Sequence, residues 1–121
     1  MTDYKVIYLA GPLEPSGRID YIRAAVEVAE EILTYHCSAI IPHTMTIMWG
    51  YAYPKSKSTW LALDKAIIAK CDAILRIPGE SEGADEEMRF AKSVGIPIYG
   101  TVEELAHDWR FGKGIFNEQN G

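Results

Sequence analysis

The 121 residues predict a three-layer α/β fold built on a doubly wound parallel sheet. Two observations lead to that class. Short apolar runs, typical of strands, alternate with longer segments in which apolar residues recur every three or four positions, as in helices. This strand-then-helix order occurs four times, which is typical of a parallel sheet. Connections between parallel strands are right-handed, so helices cover both faces of the sheet. For a chain of this length we expect the flavodoxin-like strand order 2-1-3-4, with a fifth short strand left open.

Composition and charge narrow the classes of partner. The chain predicts one domain, residues 1–109, followed by a C-terminal tail, residues 110–121. A formal charge of −5 disfavours a nucleic-acid polymer or an anionic membrane as partner. No apolar run approaches membrane-spanning length, and the start of the chain has no signal-peptide layout, which predicts a cytoplasmic protein. Cys37 and Cys71 lack metal-ligand spacing and are expected to be reduced and buried.

The first strand is predicted at Lys5–Ala10, an apolar run that ends at Gly11-Pro12. A loop with small residues and Arg18 follows it. The next segment predicts a helix of about four turns. Backbone N–H groups at a helix start can hold an anion, and Arg18 could pair with a phosphate. A plain strand-to-helix connection explains the same residues. The predicted inward face of the helix consists of Ile22, Ala25, Val26, Ala29, Ile32 and Leu33.

A second strand is predicted at Ser38–Ile41, where Pro42 ends it. Residues 43–58 lack clean periodicity and predict a long loop that begins with His43. Such loops often form lids or binding walls, and aromatic side chains there suit a flat ligand such as a nucleobase. A loop packed onto the core or into a subunit interface remains an equal alternative. The large side chains of this segment are Met45, Met48, Trp49, Tyr51 and Tyr53.

The second helix is predicted from about Thr59 to Lys70, with an acidic residue close to its apolar face. Asp64 lies one residue away from that face and could point towards the same crevice as Glu87. The inward residues are expected to be Trp60, Leu63, Ile67 and Ala66.

The stretch Ala73–Tyr99 is the segment around which the chain is organised. An apolar strand breaks at Pro78-Gly79, a polar loop follows, and a helix begins near Ala84. Glu87 shares the phase of the inward face of that helix, and a buried carboxylate needs a partner or a function. Asp85 and Glu86 instead complement the positive end of the helix dipole. The inward apolar residues are Ala84, Met88, Ala91 and Val94.

The remaining elements complete the fourth repeat. Gly95 is expected to end the helix, and Ile96–Tyr99 predicts the fourth strand. Thr101 and Glu104 have the spacing of a capping box, which predicts a last helix that ends near Trp109. The tail is either frayed or docked on a neighbouring subunit.

In the predicted strand order, residues 11–18 and 78–87 meet beyond the carboxyl ends of strands one and three, so we expect the site there.

Several short motifs occur in a recognisable order. Tyr8-Leu9-Ala10-Gly11-Pro12 comes first, Asp64 follows, and Ser81-x-Gly83-Ala84-x-x-Glu87 comes last. This order and spacing, over roughly residues 5–99, resemble the nucleoside 2-deoxyribosyltransferase superfamily. The most similar members are its short phage and bacterial proteins and the nucleoside 5′-monophosphate N-glycosidases.

The resemblance implies roles for these residues. Glu87 would be the nucleophile that attacks the anomeric carbon, Tyr8 would orient it, and Asp64 would assist the departing base or contact the sugar. In the monophosphate-specific branch, a 5′-phosphate would be held by Ser16, Gly17 and Ser81, together with Arg18. Pro12 stands where those hydrolases tend to have a serine, and Pro15 also alters the loop, so the phosphate assignment is the weaker one. The implied substrate-binding residues are Gly11, Pro12, Ser16, Gly17, Arg18, His43, Ser81 and Gly83.

The sequence therefore predicts an enzyme that cleaves the N-glycosidic bond of a (deoxy)nucleoside or nucleoside 5′-monophosphate. The chemistry agrees, because a carboxylate can trap the positive charge that develops on the sugar and a second acid can protonate the base. No cofactor or metal is expected. The resemblance also implies a homodimer or larger assembly. The alternatives are a nucleotide-binding sensor of the same fold and an acidic flavodoxin-like interaction domain.

Overall fold

The computed structural model describes residues 4–12 and 18–108. The predicted binding residues Ser16 and Gly17, the predicted helix end at Trp109 and the tail lie outside those ranges. Along the chain the elements are β1 (Lys5–Ala10), α1 (Arg18–Leu33), β2 (Cys37–Ile40), α2 (Pro42–Ala52), α3 (Lys57–Ile68), β3 (Ala73–Arg76), α4 (Glu82–Ser93), β4 (Ile98–Tyr99) and α5 (Val102–His107).

The four strands form one parallel sheet in the order β2-β1-β3-β4, which confirms the predicted flavodoxin-like topology. Tyr8 in β1 is paired with Ile40 in β2 and with Ile74 in β3. The ends of β1 and β3 therefore lie side by side at one edge of the sheet. The fifth strand left open by the sequence does not occur in residues 4–12 or 18–108.

Helices cover both faces of the sheet. Ile7 and Leu9 point to a core formed with α1 and α5. Tyr8 and Ala10 point to the opposite core, formed with α3 and α4. Both faces of β1 are thus buried, which explains its continuous apolar sequence. This alternation places the hydroxyl-bearing residue Tyr8 on the same face as α3 and α4.

The prediction of a long loop at residues 43–58 is wrong, because Pro42–Ala52 forms α2. Proline is well suited to the first turn of a helix, where its missing N–H leaves no bond unmade. The helix escaped detection because its exposed side also carries large apolar residues, which removes the contrast that reveals helical periodicity. Met48 and Tyr51 have exposed fractions of 75% and 91%.

Helix α3 is rotated relative to its predicted orientation. Its buried residues are Asp64 and Ile68, whereas Ala66 is exposed. Asp64 therefore lies at the centre of the inward face, and not beside it.

The predicted faces of α1 and α4 also contain exposed residues at their margins. Those residues are Val26, Leu33 and Val94; Leu33 and Val94 lie where their helices end.

The predicted end of α4 and the predicted start of α5 are confirmed. Gly95 has a φ of 79°, the left-handed conformation that favours glycine after a helix. Thr101 Oγ1 accepts a hydrogen bond from Glu104 N at 3.0 Å, and Glu104 Oε1 accepts one from Gly100 N at 2.7 Å.

Cys37 and Cys71 are buried free thiols, as predicted. None of the helices described is long and apolar enough to span a membrane.

Candidate active site

The loops that leave β1 and β3 pack against each other with almost no space between them. A Cβ atom added at Gly11 would lie 2.9 Å from Ile77 Cβ, and one added at Gly79 would lie 2.6 Å from Pro12 Cγ. Gly79 also has a φ of 126°, a conformation that side-chain-bearing residues rarely adopt. Ile77 N donates to Ala10 O at 2.7 Å. Glycine is therefore needed at both positions to bring the two strand ends together.

Tyr8 and Glu87 meet beside this junction. The Tyr8 hydroxyl donates a hydrogen bond to Glu87 Oε2 at 3.0 Å, and the exposed fraction of Glu87 is 6%. The prediction that Glu87 faces inward is thereby confirmed. Burial, followed by the charges of Glu87 and Asp64, raises the pKa of Tyr8 far above its ordinary value. Tyr8 therefore keeps its proton and acts as a hydrogen-bond donor at any physiological pH.

Asp64 adds a second buried carboxyl group to the pair. Its side chain is close enough to Glu87 and Tyr8 to raise the pKa of each, and its exposed fraction is 7%. Burial raises the pKa of Asp64, and burial together with the Asp64 interaction raises the pKa of Glu87 to about 9. Two adjacent buried carboxyls cannot readily both ionise. Around neutral pH the pair therefore holds one proton between its two members.

His43 lies in the first turn of α2, next to the same group of residues. His43 Nε2 is 3.1 Å from the carbonyl oxygen of Pro12. A carbonyl oxygen only accepts, so Nε2 carries the hydrogen and Nδ1 is the unprotonated nitrogen. Burial lowers the pKa of His43, with smaller opposing contributions from Pro12 and Asp64, so the ring is neutral at neutral pH.

Two buried polar atoms in this region have no hydrogen-bond partner among the residues described: His43 Nδ1 and Asp64 Oδ1. Both side chains are more than nine-tenths buried. Buried polar atoms are nearly always paired in folded proteins, so unpaired ones indicate a place where another group is accommodated.

The other predicted binding residues fall into two groups. Ser81 caps α4, since its Oγ accepts from Ala84 N at 3.1 Å, and a Cβ at Gly83 would meet only Ser81 Oγ at 4.0 Å. Arg18 begins α1. Gly11 and Pro12 form the junction described above, where Pro12 is fully buried. The structure thus brings Tyr8, Asp64, Glu87 and His43 together; ligand contacts by the remaining residues stay predictions.

Arg76 belongs to the site but was missed by the sequence analysis. It ends β3 and donates to the carbonyl of Ile77, to Gly79 O at 2.8 Å and to Asp85 Oδ1 at 3.1 Å. Its positive charge also lowers the pKa of Glu87, against the larger effect of burial. The signal was an arginine that interrupts the apolar run Ala73–Ile77. A charged residue inside such a run needs a partner, which here is the loop before α4.

This arrangement is suited to nucleophilic attack combined with proton transfer. A carboxylate that is oriented by a hydroxyl donor can attack an electrophilic carbon, and a neighbouring carboxylic acid can protonate a leaving group. Within the described ranges, no group of three histidine, cysteine or acidic side chains is placed to hold a metal ion.

The fold has a counterpart among solved structures. It is similar to the 2-deoxyribosyltransferase from the psychrotolerant bacterium Bacillus psychrosaccharolyticus, with a TM-score of 0.56 and 17% sequence identity. The match covers 77% of this chain and 69% of that chain. That enzyme is described as a biocatalyst for the industrial synthesis of antiviral and antitumoral nucleosides. The protein therefore has a nucleoside 2-deoxyribosyltransferase-like α/β fold.

The family follows from the sequence match. Residues 5–100 match the model of the family described as a domain of unknown function, DUF4406, and the chain belongs to that family. Nothing among the curated proteins matches the chain.

Proposed function

We propose that this protein cleaves the N-glycosidic bond of a (deoxy)nucleoside or nucleoside 5′-monophosphate, with Glu87 as the nucleophile. The observation that carries the proposal is the buried hydrogen bond between Tyr8 and Glu87, with Asp64 beside it, at the carboxyl ends of adjacent strands. In doubly wound sheets this is where ligands bind. The fold shared with a 2-deoxyribosyltransferase supports glycosyl transfer as the general type of reaction.

In the first step, a Glu87 carboxylate oxygen attacks the anomeric carbon of the sugar. The bond from that carbon to the base breaks, and its electron pair moves to the base nitrogen. Asp64 gives its proton to the base as it leaves. The products of this step are a glycosyl ester of Glu87, a neutral base and the Asp64 carboxylate. Tyr8 holds Glu87 in position throughout, because its hydroxyl remains protonated.

In the second step, the ester is resolved at the same carbon. Water attacks the anomeric carbon, gives a proton to Asp64 and releases the free sugar and the Glu87 carboxylate. A second base can take the place of water, in which case its ring N–H supplies that proton and a new nucleoside forms. Both routes return the pair to one carboxylate and one carboxylic acid. The proposal includes both hydrolysis and transfer.

The reactive form requires the shared proton to reside on Asp64. In the free protein the pKa of Glu87 is raised to about 9, which favours the form with the proton on Glu87. Because the two carboxyl groups are close enough for each to shift the pKa of the other, the proton has only to pass from Glu87 to Asp64 to give the reactive form. We propose that substrate binding favours this shift, since the base presents an acceptor to Asp64.

The remaining features of the prediction extend this proposal. Arg18, Ser16, Gly17 and Ser81 would contact a 5′-phosphate when one is present. The protein would act in the cytoplasm on a small-molecule substrate, as a homodimer or larger homo-oligomer. The exposed side chains of Met48, Tyr51 and Tyr53 support the oligomer, because large exposed apolar groups clustered at one end of a helix are typical of interfaces.

The test is a panel of nucleosides and 5′-monophosphates incubated with the protein, with and without a second free base, and separated by chromatography. We expect base release from at least one substrate and its loss in Glu87→Ala. The matched control is Glu86→Ala on the same helix, whose carboxylate faces Lys65 at 2.8 Å, and which should retain activity. The absence of base release from every substrate would overturn the catalytic proposal.

The same panel distinguishes the sensor alternative. A nucleotide that raises the melting temperature without releasing base, and that binds Glu87→Ala equally well, would indicate a binding module with the same fold. Absence of any shift with every nucleotide would favour an interaction domain instead.

A further inference from the structure

The hydrogen bond between His43 and Pro12 joins helix α2 to the end of β1. His43 Nε2 donates to Pro12 O at 3.1 Å, and both residues are buried. The buried residues of α2 are Pro42 and His43, both in its first turn, whereas the other end of the helix is exposed. The bond therefore lies where α2 meets the rest of the protein, and it fixes the carbonyl group of Pro12, two residues beyond β1.

Pro12 is held from a second side by the loop after β3. A Cβ atom added at Gly79 would lie 2.6 Å from Pro12 Cγ and 3.4 Å from Pro12 Cδ, so the proline ring rests directly against the Gly79 backbone. The ring of a proline is fixed to its own backbone, and close-packed groups transmit a displacement to their neighbours. A movement of the Pro12 carbonyl away from His43 would therefore also move the ring and disturb Gly79.

Gly79 is connected in turn to the first turn of α4. Arg76 Nη2 donates to Gly79 O at 2.8 Å and to Asp85 Oδ1 at 3.1 Å, so a single nitrogen atom joins the loop to the helix. Glu87 follows Asp85 by two residues, and its Oε2 lies 3.0 Å from the Tyr8 hydroxyl. A continuous set of contacts thus leads from α2 to the part of α4 that carries the proposed nucleophile.

We infer that His43 is a positioning residue for that nucleophile, a role that rests on the proposed function. Through Pro12 and Gly79 it sets the place of the first turn of α4. That turn keeps Glu87 within hydrogen-bonding distance of Tyr8. Tyr8 is fixed in a strand that is paired on both sides, whereas Glu87 is carried by a helix that follows a loop. A misplacement of about 1 Å can lower a rate by about 100-fold.

The experiment compares two substitutions at position 43, with the substrate that releases base fastest. His43→Leu removes the donor to Pro12 O, whereas His43→Gln keeps one, because the Gln amide nitrogen can reach the position of Nε2. We expect His43→Leu to lower kcat by about 10- to 100-fold while KM changes by less than about threefold. His43→Gln should restore most of the lost kcat.

The matched control is Thr44→Val, in the same turn of α2. Thr44 is exposed, and its Oγ1 donates to Ile41 O at 2.9 Å. This variant therefore also loses one side-chain hydrogen bond to a backbone carbonyl, but it keeps the bond to Pro12. Its kcat should equal that of the wild type.

Amide hydrogen exchange measures the positioning without any turnover. At the start of α4, Ala84 N donates to Ser81 Oγ at 3.1 Å and Asp85 N donates to Ser81 O at 3.0 Å. We expect exchange at these two amides to be faster in His43→Leu by up to about tenfold, the range for one lost hydrogen bond. In His43→Gln it should return towards the rate of the wild type.

The start of α5 is the internal reference for exchange. There Glu104 N donates to Thr101 Oγ1 at 3.0 Å and Leu105 N donates to Thr101 O at 3.2 Å, the same pattern as in α4. A general loss of stability would speed exchange at both helix starts. Loss of the positioning contact should speed exchange at α4 and leave α5 unchanged.

The outcomes separate the two proposals. Unchanged kcat in His43→Leu, a rise in KM alone, an equal loss of kcat in His43→Gln, or unchanged exchange at the start of α4 would overturn the positioning inference and leave the proposed function intact. If the wild type releases no base from any substrate, the proposed function fails, and exchange alone decides whether His43 positions α4. If His43→Leu does not fold, His43→Asn replaces it, since its shorter side chain does not reach Pro12 O, and the same results are expected.

Discussion

The two ends of the sheet handle acidic residues in opposite ways. At the amino ends of the strands, Asp72 is exposed, its carboxylate accepts from Val6 N at 2.8 Å, and its own N–H donates to Val6 O at 2.8 Å. At the carboxyl ends, Asp64 and Glu87 are buried close to each other, and Glu87 accepts a hydrogen bond from Tyr8. A carboxylate that is solvated and paired contributes to stability, whereas two that are buried together are costly to ionise.

The thiols follow the same division. Cys37 and Cys71 lie near Asp72, and burial, followed by the Asp72 charge, raises the pKa of each to about 11. Both therefore stay protonated and unreactive at neutral pH. The two thiols at the amino ends are held in one ionisation state, while the carboxyl groups of Asp64 and Glu87 at the opposite ends share a proton. This contrast supports placing the proposed chemistry at the carboxyl ends of the strands.

The largest expected effect separates the two aspartates. Asp64→Ala should reduce the rate of base release by about 100- to 10,000-fold, the usual contribution of a general acid. Asp72→Ala should leave that rate unchanged and lower the free energy of unfolding by about 1 kcal/mol, because Val6 N loses its side-chain acceptor. Chromatographic rate measurements and urea denaturation of both variants test this comparison. A similar loss of rate in both variants would contradict it.

The next effect concerns the junction that holds the carboxyl ends together. Gly79→Ala should lower the free energy of unfolding by about 2–3 kcal/mol, because a φ of 126° is strained for alanine and its Cβ would approach Pro12 Cγ to 2.6 Å. Gly83→Ala is the control, since a Cβ there, in the first turn of α4, would only touch Ser81 Oγ at 4.0 Å. It should stabilise the protein by about 0.5–1 kcal/mol. Urea denaturation measures both, and equal destabilisation would argue against the close junction.

The third effect is a pH dependence of stability. The pKa of Glu87 is raised from 4.5 to about 9 in the folded protein, so its contribution is fully present below pH 4.5 and is lost as the pH rises towards 9. Glu87→Gln removes this loss. Between pH 5 and pH 9, the wild type should lose up to about 5 kcal/mol more unfolding free energy than the variant.

The control for that measurement is Glu86→Gln. The hydrogen bond and charge of Lys65 lower the pKa of Glu86, so its contribution changes only at acidic pH. The pH 5–9 profile of this variant should parallel the wild type. Parallel profiles for all three proteins would show that Glu87 ionises normally.

The smallest effect concerns Arg76, whose positive charge lowers the pKa of Glu87. Arg76→Met removes that charge, so the pair should lose its first proton at higher pH. On the acid side of the pH–rate profile for base release, the rise in rate should then move to higher pH by up to about one pH unit. Arg76→Lys keeps the charge while losing the forked contact with the carbonyls of Ile77 and Gly79. Its rise in rate on the acid side should remain in place, and an equal shift in both variants would assign Arg76 a purely structural role.

Much of the fold was predictable because its repeats are regular. The apolar run of β1, the phase of Glu87 in α4 and the capping box of Thr101 with Glu104 all depend on local spacing, and all are found in the structure. Helix α2 was not predictable in this way, since large apolar residues on its exposed side conceal its period.

The site was only partly predictable, for a related reason. Glu87 was found from its phase, but Asp64 was expected one residue beside the apolar face, and the packing of α3 places it at the centre of the buried face. The bond between His43 and Pro12 depends on the packing of loops from different repeats. Arg76 interrupts an apolar run, but the sequence does not show that its partners are two backbone carbonyls and Asp85. Hydrophobic periodicity does not predict contacts between segments that are distant in sequence.

The aromatic contact at the α2–α3 junction gives the protein a built-in optical probe. Trp49 and Trp60 meet edge to face with ring centroids 5.7 Å apart, and Lys55 Nζ lies 4.9 Å from the Trp49 ring. Gly50 leaves the necessary room, since a Cβ there would lie 3.0 Å from Trp60 Cζ2. Two of the three tryptophans therefore share one environment. Because α2 also carries His43, a change in indole fluorescence on titration with a nucleoside would register a shift of that helix without any label.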